Sequence, residues 1–495
     1  MNNISLIIAT LTAEDKKSFI LKLRQRNKRN DAKNIDLFML LDSQETQENL
    51  DLILYGKSAK GAYHALCKRL HDTLVDFIAS KKIEEESSKE MNALKLVLVS
   101  RAFFQQQQAV IAFKTLAKAE LIARKYSLYN TLNEVYELQL AHAHLNDLLN
   151  FQEVLKKFQK NKRKILQEEN LNLFYAAIQN ELSQKDPVLS DIIERNLNAY
   201  SISITKNLSY QSLFKILQIS NQIANVTRNY YDVLDFIEKA RKKIEVSERA
   251  QNEHLYYHLQ ILYYLSNTYF RIKKFKKSVG SLQTMYQCML LQKQKYFHIF
   301  YCQYQLIENL LNIYTGELEV AIQNLQEFDF KKYKHEEEYV HDLKLTLVVA
   351  FFLNQQFNDA LKVYRDFYHS DTWYAKKVGM IWVIKKNLLE ILLLIELDYI
   401  DLVESRLKSF RKKHSKHLSE HNEERILDFV NLIGTYYNDK GIIHSESFVK
   451  KLDNILEVNN KEEDIFALSF YAWLKAKTIS KQTYEICMEY ISEPL

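Results

Sequence analysis

The stretch that decides the fold is LKLVLVSRAFFQQQQAVIAFKTLAKAELIARKY, residues 94–126. Two apolar stripes follow each other in it at helical spacing. The first stripe consists of Leu96, Val99 and Phe103, and the second of Ala112, Leu116 and Ala119. The glutamines at 105–108 separate the stripes and predict a short turn. The stretch therefore predicts a helical hairpin, in which the small residue nine positions after Phe103 allows a close approach of the two helices.

The same nine-residue spacing between a large residue and a following partner recurs along the chain. The clearest copies join Tyr269 to Ser278 and Phe351 to Ala360. Weaker copies are Leu145 with Val154, Ala224 with Val233, Asn312 with Ala321, and Leu394 with Val403. From Ala112 onward the second members follow one another at steps of 42, 79, 45, 43, 39 and 43 residues, and the step of 79 spans two units. A regular step of this kind is typical of a helical-repeat protein.

This pattern resembles the tetratricopeptide repeat, whose hairpin has large residues in its first helix and a small residue early in its second. The strongest matches are Phe103 with Ala112 and Leu116, Tyr269 with Ser278 and Leu282, and Phe351 with Ala360 and Tyr364. The units here are longer than the family's unit of about 34 residues, and its closing proline is absent from every unit. The resemblance implies an all-α fold, a right-handed α-solenoid of stacked helical hairpins.

The helical patterns divide the chain into three parts. Residues 1–83 predict a small N-terminal helical cap, residues 90–413 hold the repeats, and residues 414–495 predict closing helices. Repeat arrays need terminal units with a polar outer side, so both ends should differ from the middle. In the cap, one apolar helix face is formed by Tyr63, Leu66, Leu70, Leu74 and Phe77. The expected core anchors of the closing helices are Phe466, Phe470 and Trp473.

Glycine and proline are scarce. The 495 residues contain seven Gly and two Pro, where average usage gives roughly 35 and 25. Phosphate-binding loops and nucleophile elbows need glycine where a side chain would clash, and the chain contains no GxGxxG, GxxxxGK or GxSxG motif. The 31 Tyr and 26 Phe instead fit long helices that pack through aromatic side chains. We therefore predict a protein that is not an enzyme and has no cofactor.

The apolar runs of the chain are too short to span a bilayer. The strongest of them, residues 345–353 and 387–397, fall well below the roughly 20 residues that a transmembrane helix needs. The N-terminal stretch Ile4–Leu11 lacks the preceding basic region of a signal peptide. The four cysteines form no CxxC pair, which argues against a zinc ribbon and a disulfide framework. We expect a cytoplasmic protein without membrane insertion.

One group of histidines has the spacing of a metal site. His414, His417 and His421 would share one helical face, which permits zinc or nickel binding. The group stands in a polar stretch where histidines more often add solubility, so we predict no metal site, although metal binding by these three residues stays open. His254 and His258 are also four apart, but no HExxH motif is present, and burial is the better interpretation.

Four basic stretches are candidates for contact with nucleic acid: residues 22–33, 156–164, 271–277 and 406–417. Aligned along one edge of a solenoid, they could follow a phosphate backbone. The net charge of +6 is mild, because 62 Asp and Glu oppose 68 Lys and Arg. Acidic neighbours such as Glu168 and Glu169 dilute the field further. RNA or DNA binding is therefore the weaker alternative.

The first helices of stacked hairpins line a concave groove that is free to receive a partner. The candidate groove residues are Arg101, Gln218, Gln222, Asn225, Tyr263, Asn267 and Phe270. Amide side chains can hydrogen-bond to the backbone of an extended peptide, and aromatic side chains supply contact area. We predict a scaffold or adaptor that binds another protein or peptide. The remaining alternatives are a nucleic-acid-associated repeat protein and a peptide-sensing regulator with residues 1–83 as its effector module.

The repeat assignment predicts the effect of a large side chain at the small positions. Ala112→Trp and Ala360→Trp should overpack the seam between the two helices, and each should lower the free energy of unfolding by roughly 1–3 kcal/mol. Thermal or urea melting of the two variants measures this. Melting of both variants at the wild-type midpoint would contradict the assignment.

Overall fold

A computed structural model gives the structure of the protein. It describes residues 3–9, 11, 13–26, 33–42, 50–85, 89–146, 149–182, 192–202, 210–227, 230, 231, 234, 238, 242, 254–333, 336–420, 423–457 and 465–492. In these residues every regular element is a helix, which confirms the all-α prediction. None of the described helices combines the length and the apolar character of a membrane span.

The chain divides into two compact units, Met1–Arg163 and Lys164–Leu495, with the boundary inside helix α9. The helices of the first unit are α1 (Asn3–Ala9), α2 (Ala13–Arg26), α3 (Lys33–Asp42), α4 (Leu50–Tyr55), α5 (Lys60–Glu85), α6 (Lys89–Gln105), α7 (Ala109–Lys125), α8 (Tyr129–Ala141) and the beginning of α9 (Phe151–Leu182). A short 3-10 helix, Ala143–Leu145, follows α8.

Helices α1 to α5 share a hydrophobic core of their own. The ring of Phe19 lies 5.1 Å from those of both Phe38 and Phe77. On α5, the predicted apolar face is buried at Leu66, Leu70, Leu74 and Phe77. The amphipathic pattern therefore identified the side of α5 that packs in the N-terminal part of the chain.

The second unit contains the end of α9 and the remaining helices. These are α10 (Ile192–Ala199), α11 (Tyr210–Thr227), α12 (Leu255–Arg271), α13 (Phe275–Met289), α14 (Leu291–Gln294), α15 (Phe297–Tyr314), α16 (Leu318–Glu327), α17 (Glu337–Leu353), α18 (Phe357–Tyr364), α19 (Asp371–Lys377), α20 (Met380–Glu396), α21 (Ile400–Glu420), α22 (Glu424–Asn438), α23 (Glu446–Glu457), α24 (Ile465–Ile479) and α25 (Thr483–Ser492). A 3-10 helix, Lys440–His444, lies between α22 and α23.

In five of the hairpins with the nine-residue spacing, one and the same tight turn joins the two helices and accounts for that spacing. Between α12 and α13, Lys273 has a φ of 59°, and the next N–H, from Lys274, donates to the carbonyl of Tyr269 at 2.8 Å. This combination is the Schellman motif that ends many helices. The motif recurs with positive φ at Gln107, Gly316, Gln355 and Asp398. The accepting carbonyls belong to the large residues of the pattern: Phe103, Tyr269, Asn312, Phe351 and Leu394.

The small residue of each pattern lies one turn into the second helix, against the first. Ala112, Ser278 and Ala360 are each 0% exposed, as predicted. In the hairpin of α12 and α13 the two helices approach closely enough for the hydroxyl of Ser278 to donate to the carbonyl of Ser266 at 2.7 Å. A small side chain allows this close approach, while the hairpin of α20 and α21 buries Val403 at the same position. The copy predicted at Val233 lies outside the described residues.

The C-terminal helices contact hairpins far away in the sequence. The hydroxyl of Tyr484 donates to the carbonyl of Ile313 at 2.7 Å, and the hydroxyls of Tyr314 and Ser469 lie 3.1 Å apart. The indole N–H of Trp473 donates to Glu396 at 2.6 Å. Phe470 and Trp473 are buried, as predicted for the closing helices. Helices α24 and α25 therefore join the ends of α15 and α20.

The turn motif predicts opposite effects on stability when glycine is removed from one turn and introduced at the equivalent position of another. Gly316→Ala should lower the free energy of unfolding by about 1 kcal/mol, because φ is 103° there while the space for a Cβ is open. Gln355→Gly should raise the free energy of unfolding by up to about 1 kcal/mol, because glycine adopts the left-handed backbone conformation of this position without the steric cost of a Cβ.

Gly280→Ala is the matched control, because the added Cβ again meets nothing within 4 Å but the site is helical. It should stabilise by roughly 0.5–1 kcal/mol. Urea melting of the three variants measures the differences. The same sign for Gly316→Ala and Gly280→Ala would contradict the role assigned to positive φ.

Candidate functional site

A ladder of polar side chains joins α9 to α11 in the second unit. The ammonium group of Lys215 donates to Asn172 at 2.7 Å, and the amide of Gln179 donates to Gln222 at 2.5 Å. The hydroxyl of Tyr175 donates to the amide oxygen of Gln218. Each pair is separated by 43 residues. A constant separation over two turns requires that the two helices run parallel and in register, which is the arrangement of equivalent helices in successive repeats.

A layer of half-buried tyrosines continues from this ladder. We call it the tyrosine surface; its members are Tyr175, Tyr256, Tyr257, Tyr263, Tyr264 and Tyr339. The ring of Phe214, on α11, lies 5.7 Å from that of Tyr257 and 6.1 Å from that of Tyr264, both on α12. Aromatic contacts at these distances stabilise neighbouring helices. The surface thus extends across α9, α11 and α12.

Helix α17 contributes Tyr339 to the same surface. Its ring lies 6.2 Å from that of Tyr263 in an edge-to-face arrangement, and its hydroxyl accepts a hydrogen bond from Gln303 of α15 at 2.8 Å. Tyr263 and Tyr339 are 76 residues apart and belong to hairpins that are separated by another hairpin. Their contact shows that side chains of α12 and α17 meet beside α15.

Two carboxylates stand one helical turn apart next to the tyrosine surface. Burial and, to a smaller extent, the charge of Glu338 raise the pKa of Asp342 to about 7, against the opposing effect of Arg271 and Lys385. Desolvation by neighbouring groups also raises the pKa of Glu338, although this residue is exposed. Asp342 is nevertheless only half-buried, so water reaches its side chain.

The neighbouring phenols are held neutral by the same environment. Burial raises the pKa of Tyr339 to about 12 and that of Tyr263 well above its ordinary value. These hydroxyl groups therefore carry no charge near neutral pH, and they act as hydrogen-bonding groups. The surface offers neutral aromatic rings, hydroxyls and amides beside a carboxyl group that titrates near pH 7.

The seven candidate groove residues are divided between the two units. Arg101 lies in the first unit, where it donates to Glu134 at 2.9 Å. In the second unit, Gln218 and Gln222 belong to the ladder, while Tyr263 and Asn267 are half-buried one turn apart on α12.

The two remaining candidates differ from these. Phe270 is 1% exposed and packs against Phe275 and Tyr314. It is therefore a core residue in this structure. The side chain of Asn225 lies outside the described residues.

Several residues of this surface escaped the sequence analysis. Tyr339 and Asp342 follow the acidic run 336–338, which resembled an ordinary solvated face. A signal was present, because Asp342 begins the stretch DLKLTLVVAFFL, and the residues after it are almost entirely apolar and buried. A carboxylate on a buried helix needs a partner or a function.

Of the two histidines that were expected to be buried, His258 is buried and His254 is half-buried, whereas His414, expected to add solubility at the surface, is buried. His258 is 1% exposed, and burial lowers its pKa to about 4, so it is neutral at physiological pH. His414 is buried, and its Nε2 lies 3.1 Å from the amide nitrogen of Asn387. His421 lies outside the described residues. Within the described part of the chain, no three His, Cys, Asp or Glu side chains gather as metal ligands would.

The basic stretches are partly neutralised by local carboxylates. Lys277 pairs with Glu238 at 2.8 Å, and Lys157 pairs with Glu153 at 2.9 Å. Residues 27–32 of the first stretch lie outside the described residues. Exposed lysines such as Lys274 and Lys276 remain, so binding of nucleic acid stays a prediction.

The raised pKa of Asp342 predicts a pH dependence of stability. Its folded pKa of about 7 exceeds the ordinary value of 3.8, so the folded state binds the proton more tightly than the unfolded state. Stability should therefore fall as the pH rises from 5 to 8, by roughly 1–2 kcal/mol for this group after allowance for its access to water.

Asp342→Asn should remove this part of the pH dependence, while Asp359→Asn, at an exposed position of α18, provides the control. Urea melting at pH 5, 6.5 and 8 measures it. If the stability of the wild type and of Asp342→Asn changes equally with pH, burial does not raise the pKa of this carboxyl group.

Comparison with known proteins identifies no relative of this chain: no protein-family model and no curated protein matches it.

Proposed function

We propose that the second unit is a right-handed solenoid of tetratricopeptide-like hairpins and that its tyrosine surface binds an extended segment of another protein. The constant separation of 43 residues between paired side chains of α9 and α11 supports the stacking of equivalent helices. Phe214 and Tyr257, which are also 43 residues apart, continue the same register on α12. A stack of this kind exposes its first helices along one continuous face.

One observation carries the functional part of the proposal: polar groups remain available on a surface that the protein already desolvates. Asn267, one turn after Tyr263, is half-buried, and in the described part of the chain its amide has no hydrogen-bond partner. Such an amide can both donate to and accept from a peptide backbone. A neighbouring environment that raises the pKa of Asp342 also strengthens each hydrogen bond formed there.

The ladder adds further hydrogen-bond donors in the same unit. Gln218 and Gln222 each accept through the side-chain oxygen, from Tyr175 and Gln179 respectively. This holds both side chains in place, and the amide N–H groups of the two glutamines have no acceptor among the described residues. A donor that is already oriented loses less conformational entropy when a ligand binds. Backbone carbonyls of an extended segment are suitable acceptors.

Photo-crosslinking tests where a partner lies. A photoreactive amino acid placed at position 222 should form cross-links with a partner protein in the native cell extract, and the linked peptides can be identified by mass spectrometry. The matched control is position 283, an exposed glutamine on α13. Cross-links at 283 but not at 222 would place the partner on another face and contradict the proposal.

Substitution tests the energetic role of the same surface. Asn267→Ala with Tyr263→Ala should weaken binding of the identified segment by more than about 1 kcal/mol, because a desolvated aromatic residue and its neighbouring amide are lost together. Tyr263→Ala also removes the contact with Tyr339, so Asn267→Ala alone is the variant that should melt like the wild type. Titration calorimetry measures the affinity. Unchanged affinity in the double variant and in Asn267→Ala, together with cross-linking at position 222, would exclude Tyr263 and Asn267 as the contact site.

A further inference from the structure

A second concave site lies in the same unit, between the end of α18 and helices α19, α20 and α21. It is a cleft of about 360 Å³, within the size range of small-molecule pockets. Its aromatic lining consists of Tyr364, Phe367 and Phe410, and its charged lining consists of Asp371, Lys386, Glu390, Arg406 and Lys413. None of these residues belongs to the tyrosine surface.

The charges of the cleft do not cancel. Asp371 accepts from two lysines, Lys386 at 3.1 Å and Lys413 at 2.8 Å. Glu390 pairs with Arg406 at 2.9 Å. Three cations therefore face two carboxylates, and one positive charge is left over. An anion that enters the cleft would complete the balance.

One of the three cations is shielded from water, whereas the side chains of Arg406 and Lys413 are 44% and 54% exposed. Lys386 is only 6% exposed, on a helix whose other buried residues are apolar. Burial opposes the ionisation of Asp371, but hydrogen bonds and charge from Lys413 and Lys386 outweigh it and hold the pKa of Asp371 at about 2. Both lysines therefore share a carboxylate that stays ionised at neutral pH. The positive excess is a fixed property of the cleft.

Arg406 provides the recognition group. Its Nε donates to Glu390 at 2.9 Å, and in the described part of the chain its two terminal nitrogens have no protein acceptor. A guanidinium group with both terminal nitrogens available matches the paired oxygens of a phosphate or a carboxylate. Glu390 fixes the guanidinium through Nε, so the group is oriented before a ligand arrives.

We propose that this cleft binds a small organic anion, whose oxyanion group contacts Arg406 and Lys413 and whose apolar part packs against Phe367 and Phe410. The ligand class is set by the excess of one positive charge, the free guanidinium nitrogens and the aromatic lining. A phosphate ester and a carboxylic acid share the required chemistry. The site is independent of the tyrosine surface, so it stands whether or not that surface binds a protein.

Titration calorimetry on the full chain at constant ionic strength tests the proposal. The probes are phenyl phosphate, benzoate and neutral benzyl alcohol. At least one of the two anions should bind at a ratio of one to one with a dissociation constant below about 1 mM, and benzyl alcohol should bind at least 10-fold more weakly. The stronger anion identifies the group: phosphate if phenyl phosphate binds more tightly, carboxylate if benzoate does.

Variants distinguish the cleft from the general surface. Arg406→Lys keeps the positive charge and can still pair with Glu390, but it loses the paired donors of the guanidinium group. It should therefore lower the affinity for the anion by roughly 10-fold or more. Lys413→Gln should lower the affinity for the anion by a comparable factor. Lys440→Gln is the matched control, because Lys440 forms a similar exposed pair with Asp398, also 42 residues away.

Three results would overturn the proposal. They are the absence of binding by either anion up to about 10 mM, wild-type affinity in both Arg406→Lys and Lys413→Gln, and equal weakening by Lys440→Gln. Thermal melting of each variant shows whether it is folded. A variant that melts early is replaced by Ser409→Trp, which fills the cleft from α21 without removing a charge and should abolish binding of the anion.

Discussion

Each hairpin depends on a hydrogen bond between the backbone N–H that follows the turn and a carbonyl five residues earlier. At Tyr269, Phe351 and Leu394 this bond closes the end of one helix while the donor residue starts the next. The bond forms only if the residue before the donor adopts a left-handed conformation, which costs roughly 1–2 kcal/mol for a residue other than glycine. Lys273, Gln355 and Asp398 accept that cost. It is offset because the turn brings two apolar helix faces together.

The turn explains why so much of the fold could be predicted. Its geometry fixes the number of residues between the carbonyl acceptor and the first contact in the second helix, so the spacing of nine from Phe103 to Ala112 marks a whole three-dimensional hairpin. The turn residues themselves carry no such signal. Gln107, Gln355 and Lys273 stand where glycine is preferred, and nothing in their side chains indicates positive φ. The scarcity of glycine therefore argued against phosphate-binding loops but did not reveal these turns.

The candidate surface could be predicted only in part, because sequence spacing identifies a helix face but not what covers it. Gln218 and Gln222 fell on a face that carries polar contacts, whereas Phe270, assigned to a similar face, is covered by Tyr314. Tyr339 comes from a hairpin two positions further along the chain, and no local pattern relates it to Tyr263. Lys386 and Asp342 were detectable as charges on apolar helices. Their partners, however, depend on how neighbouring hairpins meet.

The contacts of α24 and α25 with α15 and α20 have a consequence for how the second unit folds. Neighbouring hairpins are joined by contacts about 43 residues apart, so they can form one after another from local nuclei. The bonds from Tyr484 to Ile313 and from Ser469 to Tyr314 instead close loops of 171 and 155 residues. Each fourfold lengthening of a loop adds about 1.2 kcal/mol of closure entropy. We therefore expect these bonds to form after the local hairpins. Once formed, they link the end of the chain to its middle, so helices α24 and α25 lose their freedom to fray independently.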